Sequence, residues 1–190
     1  MINWQETVFC AVDTETTGVN PEGGDRIVEI ALVPIFRGRI IRERAFISLV
    51  NPRVRIPALV EKVHGISNSL VMDAPSMDEV YPRIRDYLRG MVPVFHNGKF
   101  DLTFLDYAAK DVGQFPMDLV YIDTQDLSRE VFGEVKSLEW MARYFSIAEK
   151  ISHRALDDAL VTAKVFLKLS RRIGEENLGK FTKHWRGKSI

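Results

Sequence analysis

The sequence predicts an α/β fold in which a mixed sheet is flanked by helices. Strand patterns come first, at Val8–Val12, Arg26–Phe36 and Arg39–Ser48, and those at Met91–Phe95 and Leu119–Asp123 then alternate with helical patterns. The run Val8–Val12 is also apolar without interruption, as in a strand buried on both faces.

Each element has a local reason. Asn20-Pro21-Glu22-Gly23-Gly24-Asp25 is rich in turn formers, and Arg37-Gly38 joins the next two strand candidates tightly enough for a hairpin. Pro57 opens a short helix through Val63, since proline is tolerated at a helix start. Ser76–Leu88 and Phe100–Lys110 read as helices, and most of the chain beyond Asp123 as helical.

The expected organisation is one domain over residues 1–170 and a basic tail over 171–190. That tail carries six basic residues, Arg171, Arg172, Lys180, Lys183, Arg186 and Lys188, against Glu175 and Glu176. Leu178, Phe181 and Trp185 are three and four apart, which puts them on one face of a C-terminal helix docked on the domain. A basic flank for nucleic acid and a docking tail for a protein partner are the alternatives.

At 190 residues, with 46% hydrophobic and 27% charged content, the chain has the composition of a globular domain with a substantial core. Its 26 basic and 26 acidic residues balance, so net charge identifies no partner. The lone Cys10 excludes an internal disulfide. No apolar run reaches the ~18 residues of a membrane span, and Met1–Glu6 lacks the pattern of a signal peptide. The expected location is cytoplasmic.

Four acids and one histidine stand out. Asp13 and Glu15 follow the buried run two residues apart, so a strand would point both to the same side. Two carboxylates that close repel each other unless a cation or a proton intervenes. The following Thr16-Thr17-Gly18 would let a ligand approach the backbone. Asp101 starts an apolar stripe with Phe104, Leu105 and Ala108; an acid there serves either a site or the helix N-terminus. In the last long helix, Asp158 shares a stripe with Val161, Val165 and Leu169, whereas Asp157 aligns with Lys164 and Lys168. Helical arithmetic therefore encloses Asp158 and leaves Asp157 in solvent. His153 lies five residues before Asp158, in the approach to the same helix.

These segments, in this order, resemble the three motifs of the DEDDh superfamily of 3′→5′ exonucleases. Within it they are most similar to the proofreading (epsilon) subunits of bacterial DNA polymerase III and their free-standing relatives. The resemblance rests on Asp13-Thr14-Glu15-Thr16-Thr17-Gly18, Arg26-Ile27-Val28-Glu29-Ile30-Ala31, Val63-His64-Gly65-Ile66, His96-Asn97-Gly98-Lys99-Phe100-Asp101 and His153-Arg154-Ala155-Leu156-Asp157-Asp158-Ala159. The tyrosine branch of the superfamily has Tyr four residues before the last aspartate; here that position is Arg154, and His153 fits the histidine branch.

The resemblance implies a ribonuclease H-like fold with a five-stranded mixed sheet. It implies metal-dependent hydrolysis of phosphodiester bonds at the 3′ end of DNA, with release of nucleoside 5′-monophosphates, in proofreading or repair. Asp13, Glu15, Asp101 and Asp158 would hold two Mg²⁺ or Mn²⁺ ions, and His153 would be the general base. Thr14, Thr16, Thr17, Gly18, Glu61, Val63, His64, Asn97 and Phe100 match positions around the terminal nucleotide. Phe100 would stack on or wedge beside a base, or serve the core instead. Glu29 receives no catalytic role. A 3′→5′ exoribonuclease of the ribonuclease T or oligoribonuclease kind is one alternative. A polymerase-associated subunit and a catalytically silent nucleic-acid-binding module are the others.

Overall fold

The structure is a computed structural model and describes residues 2–187. Strand β1 (Val8–Thr16) runs through the middle of the sheet, where its apolar residues are covered on both faces. It pairs antiparallel with β2 (Ile27–Phe36) along nearly its whole length and parallel with β5 (Val92–Phe95). Beyond β5 lies β6 (Asp118–Asp123), again parallel.

The period-two rule divides β1 and β2 between two cores. Phe9, Ala11, Ala31, Val33 and Ile35 pack toward α7 (Ala155–Ile173), with α5 (Thr124–Phe132) and α6 (Leu138–Tyr144) on the same side. Cys10, Val12, Ile30 and Leu32 pack toward α3 (Met77–Tyr87) and α4 (Gly98–Asp111). Two short helices, α1 (Ala58–His64) and α2 (Asn68–Val71), close one end of that second face around Val28, Ile56, Ile66 and Val71. No helix among the described residues is long and apolar enough to cross a membrane.

The stripes expected in α4 and α7 are present: Asp101, Phe104, Leu105 and Ala108 are buried, as are Asp158, Val161, Val165 and Leu169. Asp157 is exposed.

Three expectations need correction. The strand expected over Arg39–Ser48 is broken into β3 (Arg39–Ile40) and β4 (Phe46–Leu49), separated by a 3-10 turn at Arg42–Arg44. Both pieces pair with β2, but the charged run Arg42-Glu43-Arg44 lifts into solvent between them.

Among the described residues the expected C-terminal helix does not form. Gly174, at φ +88°, ends α7, a 3-10 stretch follows over Glu175–Phe181, and Thr182–Arg186 becomes strand β7. β7 pairs antiparallel with β6 and covers an edge that would otherwise leave backbone groups unpaired. Leu178 and Phe181 therefore join the α7-side core, whereas Trp185 packs on the opposite, α4 side. Lys188 lies outside the described residues.

Finally, among the described residues the sheet has seven strands rather than five, in the order β3-β2-β1-β5-β6-β7 with β4 also on β2. The split of one strand and the addition of β7 account for the difference.

Candidate active site

The parallel strands β1, β5 and β6 end at the same edge of the sheet, where open α/β sheets bind their ligands. Asp13 and Glu15 stand on the last turns of β1, on the α7 side, and are partly buried. Asp158 enters from the first turn of α7 and is buried. His153 precedes that helix with its side chain exposed. One ligand atom from each of Glu15, His153 and Asp158 lies within 4.8 Å of the other two.

Asp101 reaches the cluster from the other side of the sheet. Thr14 points to the α4 face, and its hydroxyl donates to Asp101 Oδ1 at 2.7 Å. The helix start that carries Asp101 is held by Asp123 at the end of β6. That carboxylate accepts the Asn97 N–H at 3.1 Å, the Gly98 N–H at 2.9 Å and the Gln125 N–H at 2.9 Å. Asn97 turns the chain in the left-handed region at φ +66°. A Cβ at Gly98 would lie 2.9 Å from Phe95 Cβ, so glycine permits this close turn from β5 into α4.

Crowding shows in the proton affinities. Burial, followed by the charges of Asp101, Glu15, Asp158 and Glu29, holds the Asp13 carboxyl well above the usual range. Burial first, then Asp158, Glu29 and Asp101, pushes Glu15 up to about 8. Asp101 rises to about 7 through burial, opposed by the Thr14 hydroxyl. Burial also raises Asp158, opposed by hydrogen bonding from Ser152 and by nearby His153. Four acids raised together hold their protons more readily than free carboxylates do, and a cation would offset the same crowded charge. Oxygen-rich donor sets suit hard divalent ions, so the residues present fit such a metal.

The residues expected around a terminal nucleotide fall into distinct groups. The Thr14 hydroxyl gives its one proton to Asp101, so it has no donor left for a ligand. Thr16 donates to the Gly18 carbonyl at 2.5 Å, and Thr17 donates to Asp25 Oδ1 at 3.0 Å. Asp25 also accepts the Asn20 N–H at 2.8 Å and so braces the turn. A Cβ at Gly18 would collide with the Asp25 carboxylate at 2.3 Å. Val63 and Asn97 are exposed, and Glu61 is half-buried. His64 is buried, with Nδ1 accepting the Ile66 N–H at 3.0 Å and Nε2 lacking a hydrogen-bond partner among the described residues. Burial lowers its pKa, opposed by the Thr16 backbone. Phe100 packs against Phe104 with ring centroids 4.9 Å apart, so one face of it serves the core.

Sequence reasoning missed Asp123 and Asp25 as organisers of the site. Asp123 carries an N-cap signal, an acid between a strand and a helix, but its reach back to Asn97 and Gly98 depends on β5–β6 pairing.

The family model of the RNase T-type exonucleases, described as exonuclease, matches residues 10–166. The chain belongs to that exonuclease family. Its motifs are those of a 3′→5′ exonuclease domain, and its relatives agree. The Rhodobacter capsulatus DNA polymerase III subunit epsilon-like protein is 42% identical over 165 residues, covering 85% of this exonuclease chain and 23% of that protein. The 3′-5′ exonuclease DinG of Bacillus subtilis is 35% identical over 167 residues, covering 87% of this chain and 18% of DinG. The chain thus spans less than a quarter of either relative. The structure described as Exonuclease X in complex with 5′ overhanging duplex DNA superimposes with a TM-score of 0.69 and 25% identity. That match covers 94% of this chain and 95% of the other.

Proposed function

We propose that this exonuclease domain removes nucleotides from the 3′ end of DNA, acting on single-stranded or frayed ends and releasing nucleoside 5′-monophosphates. The observation that carries the reading is the meeting of Glu15, His153 and Asp158 within 4.8 Å beside two further buried or half-buried acids, Asp13 and Asp101. Asp13, Glu15, Asp101 and Asp158 would hold two divalent ions, Mg²⁺ or Mn²⁺. When bound, these ions offset the crowded negative charge and polarise the scissile phosphate.

The remaining roles belong to the side chains. His153, exposed at the rim, takes the proton of the attacking water as general base. Thr16, Thr17 and Gly18 present backbone to the terminal nucleotide, with the Asp25 brace fixing their turn. Glu61, Val63 and His64 line it from α1. Asn97 and the free face of Phe100 complete the pocket.

DNA is favoured over RNA by its relatives: the R. capsulatus protein is named for DNA polymerase III, and the Exonuclease X structure holds duplex DNA. Acting in proofreading or repair, the domain would work in the cytoplasm, alone or beside a DNA polymerase.

The test uses 5′-labelled single-stranded, duplex and mismatched substrates, each in DNA and RNA, with Mg²⁺, Mn²⁺ or chelator. The expected result is a metal-dependent ladder shortened from the 3′ end, fastest on single-stranded and mismatched DNA. Faster loss of RNA overturns the substrate assignment, and undiminished cleavage in chelator overturns the metal site.

A further inference from the structure

Glu29 of β2 lies directly opposite Glu15 of β1 and is 3% exposed. Directly opposed side chains share one face of the sheet, so a fifth carboxylate, itself buried, stands beside the four acids of the cluster. Its partner is Arg154. The guanidinium donates from Nε to Glu29 Oε2 at 3.0 Å and from Nη2 to Oε1 at 2.6 Å. The Ala155 N–H adds a third bond to Oε2 at 2.9 Å. One buried carboxylate on the sheet therefore grips two consecutive residues at the joint where the approach loop becomes α7.

That joint sits between two residues of the proposed chemistry. His153 immediately precedes Arg154 and adopts φ +55°, a left-handed conformation that a non-glycine residue keeps only where its surroundings enforce it. Asp158 follows one turn into the helix, and its Oδ1 accepts the Ser152 N–H at 3.3 Å. Loop and helix start are thus tied together on one side by Asp158 and to the sheet on the other by Glu29.

We propose that the Glu29–Arg154 pair is a positioning device for the general base: by fixing the left-handed turn at His153, it aims the imidazole at the acid cluster. The guanidinium also offsets part of the Glu29 charge, which adds to the repulsion at Glu15 and Asp13. A planar fork is needed, because a lysine offers a point charge rather than two parallel bonds. The proposal rests on the reading of His153 as the base.

The experiment compares the full chain with Arg154→Ala, Arg154→Lys, Glu29→Gln, the Arg154→Ala/Glu29→Gln double variant and a His153→Ala reference. Melting curves and Mn²⁺ calorimetry verify that folding and ion binding persist. Arg154→Ala and Glu29→Gln are expected to lower kcat about 10–100-fold, the range typical of groups that orient a site from outside, with KM nearly unchanged. Arg154→Lys recovers only part of the loss. The double variant falls little further than either single one, because both remove the same constraint. In metal-free protein, the ring-proton resonance absent from His153→Ala shifts in Arg154→Ala.

A rise in KM with kcat unchanged would make Arg154 a substrate contact and overturn the positioning role. So would an unshifted His153 resonance. Should Arg154→Ala fail to fold, Arg154→Lys decides alone: wild-type kcat in that variant overturns the need for the fork. Full activity in His153→Ala removes the base itself, an outcome distinct from loss of activity in His153→Ala with Arg154→Ala unimpaired, which sinks the positioning proposal only.

Discussion

Thr14 and Asp101 meet through the end of the sheet, hydroxyl to carboxylate at 2.7 Å, although their elements belong to different parts of the chain. This bond ties the start of α4 to β1 and brings the fourth acid to the cluster from the face opposite Asp13 and Glu15. Thr14→Val keeps the shape and removes the donor. The expected cost is about 1–3 kcal/mol of stability, since the buried carboxylate loses a bond it cannot replace with water. Cleavage should also slow as Asp101 loosens. Denaturant unfolding and single-turnover rates check both; a variant equal to wild type in both would show the bond to be incidental.

Asp13 sits among four other carboxylates, and their repulsion is held in place by the fold. Asp13→Asn removes charge without changing shape. Activity should fall by more than the roughly 10–100-fold typical of outer partners, because an ion ligand itself is lost. In chelator the melting temperature should stay level or rise, as it does when a strained functional group is neutralised. A fall in both would mark Asp13 as structural.

The raised acids also set a pH dependence in metal-free protein. In the unfolded chain these groups release their protons near their ordinary values of 3.8 and 4.5, whereas folded Asp101 and Glu15 hold theirs until about 7 and about 8. Between those limits the folded state binds more protons, so stability declines as pH rises and is greatest on the acid side of the window. Melting in chelator should drop by several degrees from pH 6 to pH 9, given that about 1 kcal/mol corresponds to about 2–4 °C at this size. Mn²⁺ should restore the loss at pH 9 more than at pH 6, because the ion competes with those protons. A flat profile in chelator contradicts the crowding.

Much of this site could be read directly. The two-residue spacing placed Asp13 and Glu15 on one face, and helical spacing separated buried Asp158 from exposed Asp157. Those are local rules, and local geometry obeys them. The positions of Asp101 and His153 were not legible in that way. One depends on Asp123 gripping Asn97 and Gly98 from a neighbouring strand, and the other on Glu29 gripping Arg154 from 125 residues away in the sequence. The resemblance to the exonuclease motifs supplied what periodicity could not. It did not reach Thr182–Arg186, where the spacing of Leu178, Phe181 and Trp185 fits a helix, yet the open edge of β6 draws the chain into a strand.

That last strand is the part of the fold where sequence and structure lead to different experiments. Three successive residues of β7 engage three aspartates on three elements: Lys183 pairs with Asp126 of α5 and His184 with Asp118 of β6, while Trp185 Nε1 donates to Asp106 of α4 at 3.2 Å. A docking tail free for a partner would leave the domain unaffected when removed. A strand of the sheet would not. Deleting residues 182–190 should expose the β6 edge, lower the melting temperature and promote association through that edge. Trp185→Ala, which removes a half-buried indole rather than a fully buried one, should cost roughly 1.5–3 kcal/mol, below the about 3–5 of a core tryptophan. Far-UV circular dichroism of the truncated chain should retain its helical signal, because α7 already ends at Gly174. An unchanged melting temperature for the truncation, with helical signal lost instead, would restore the docked-helix arrangement.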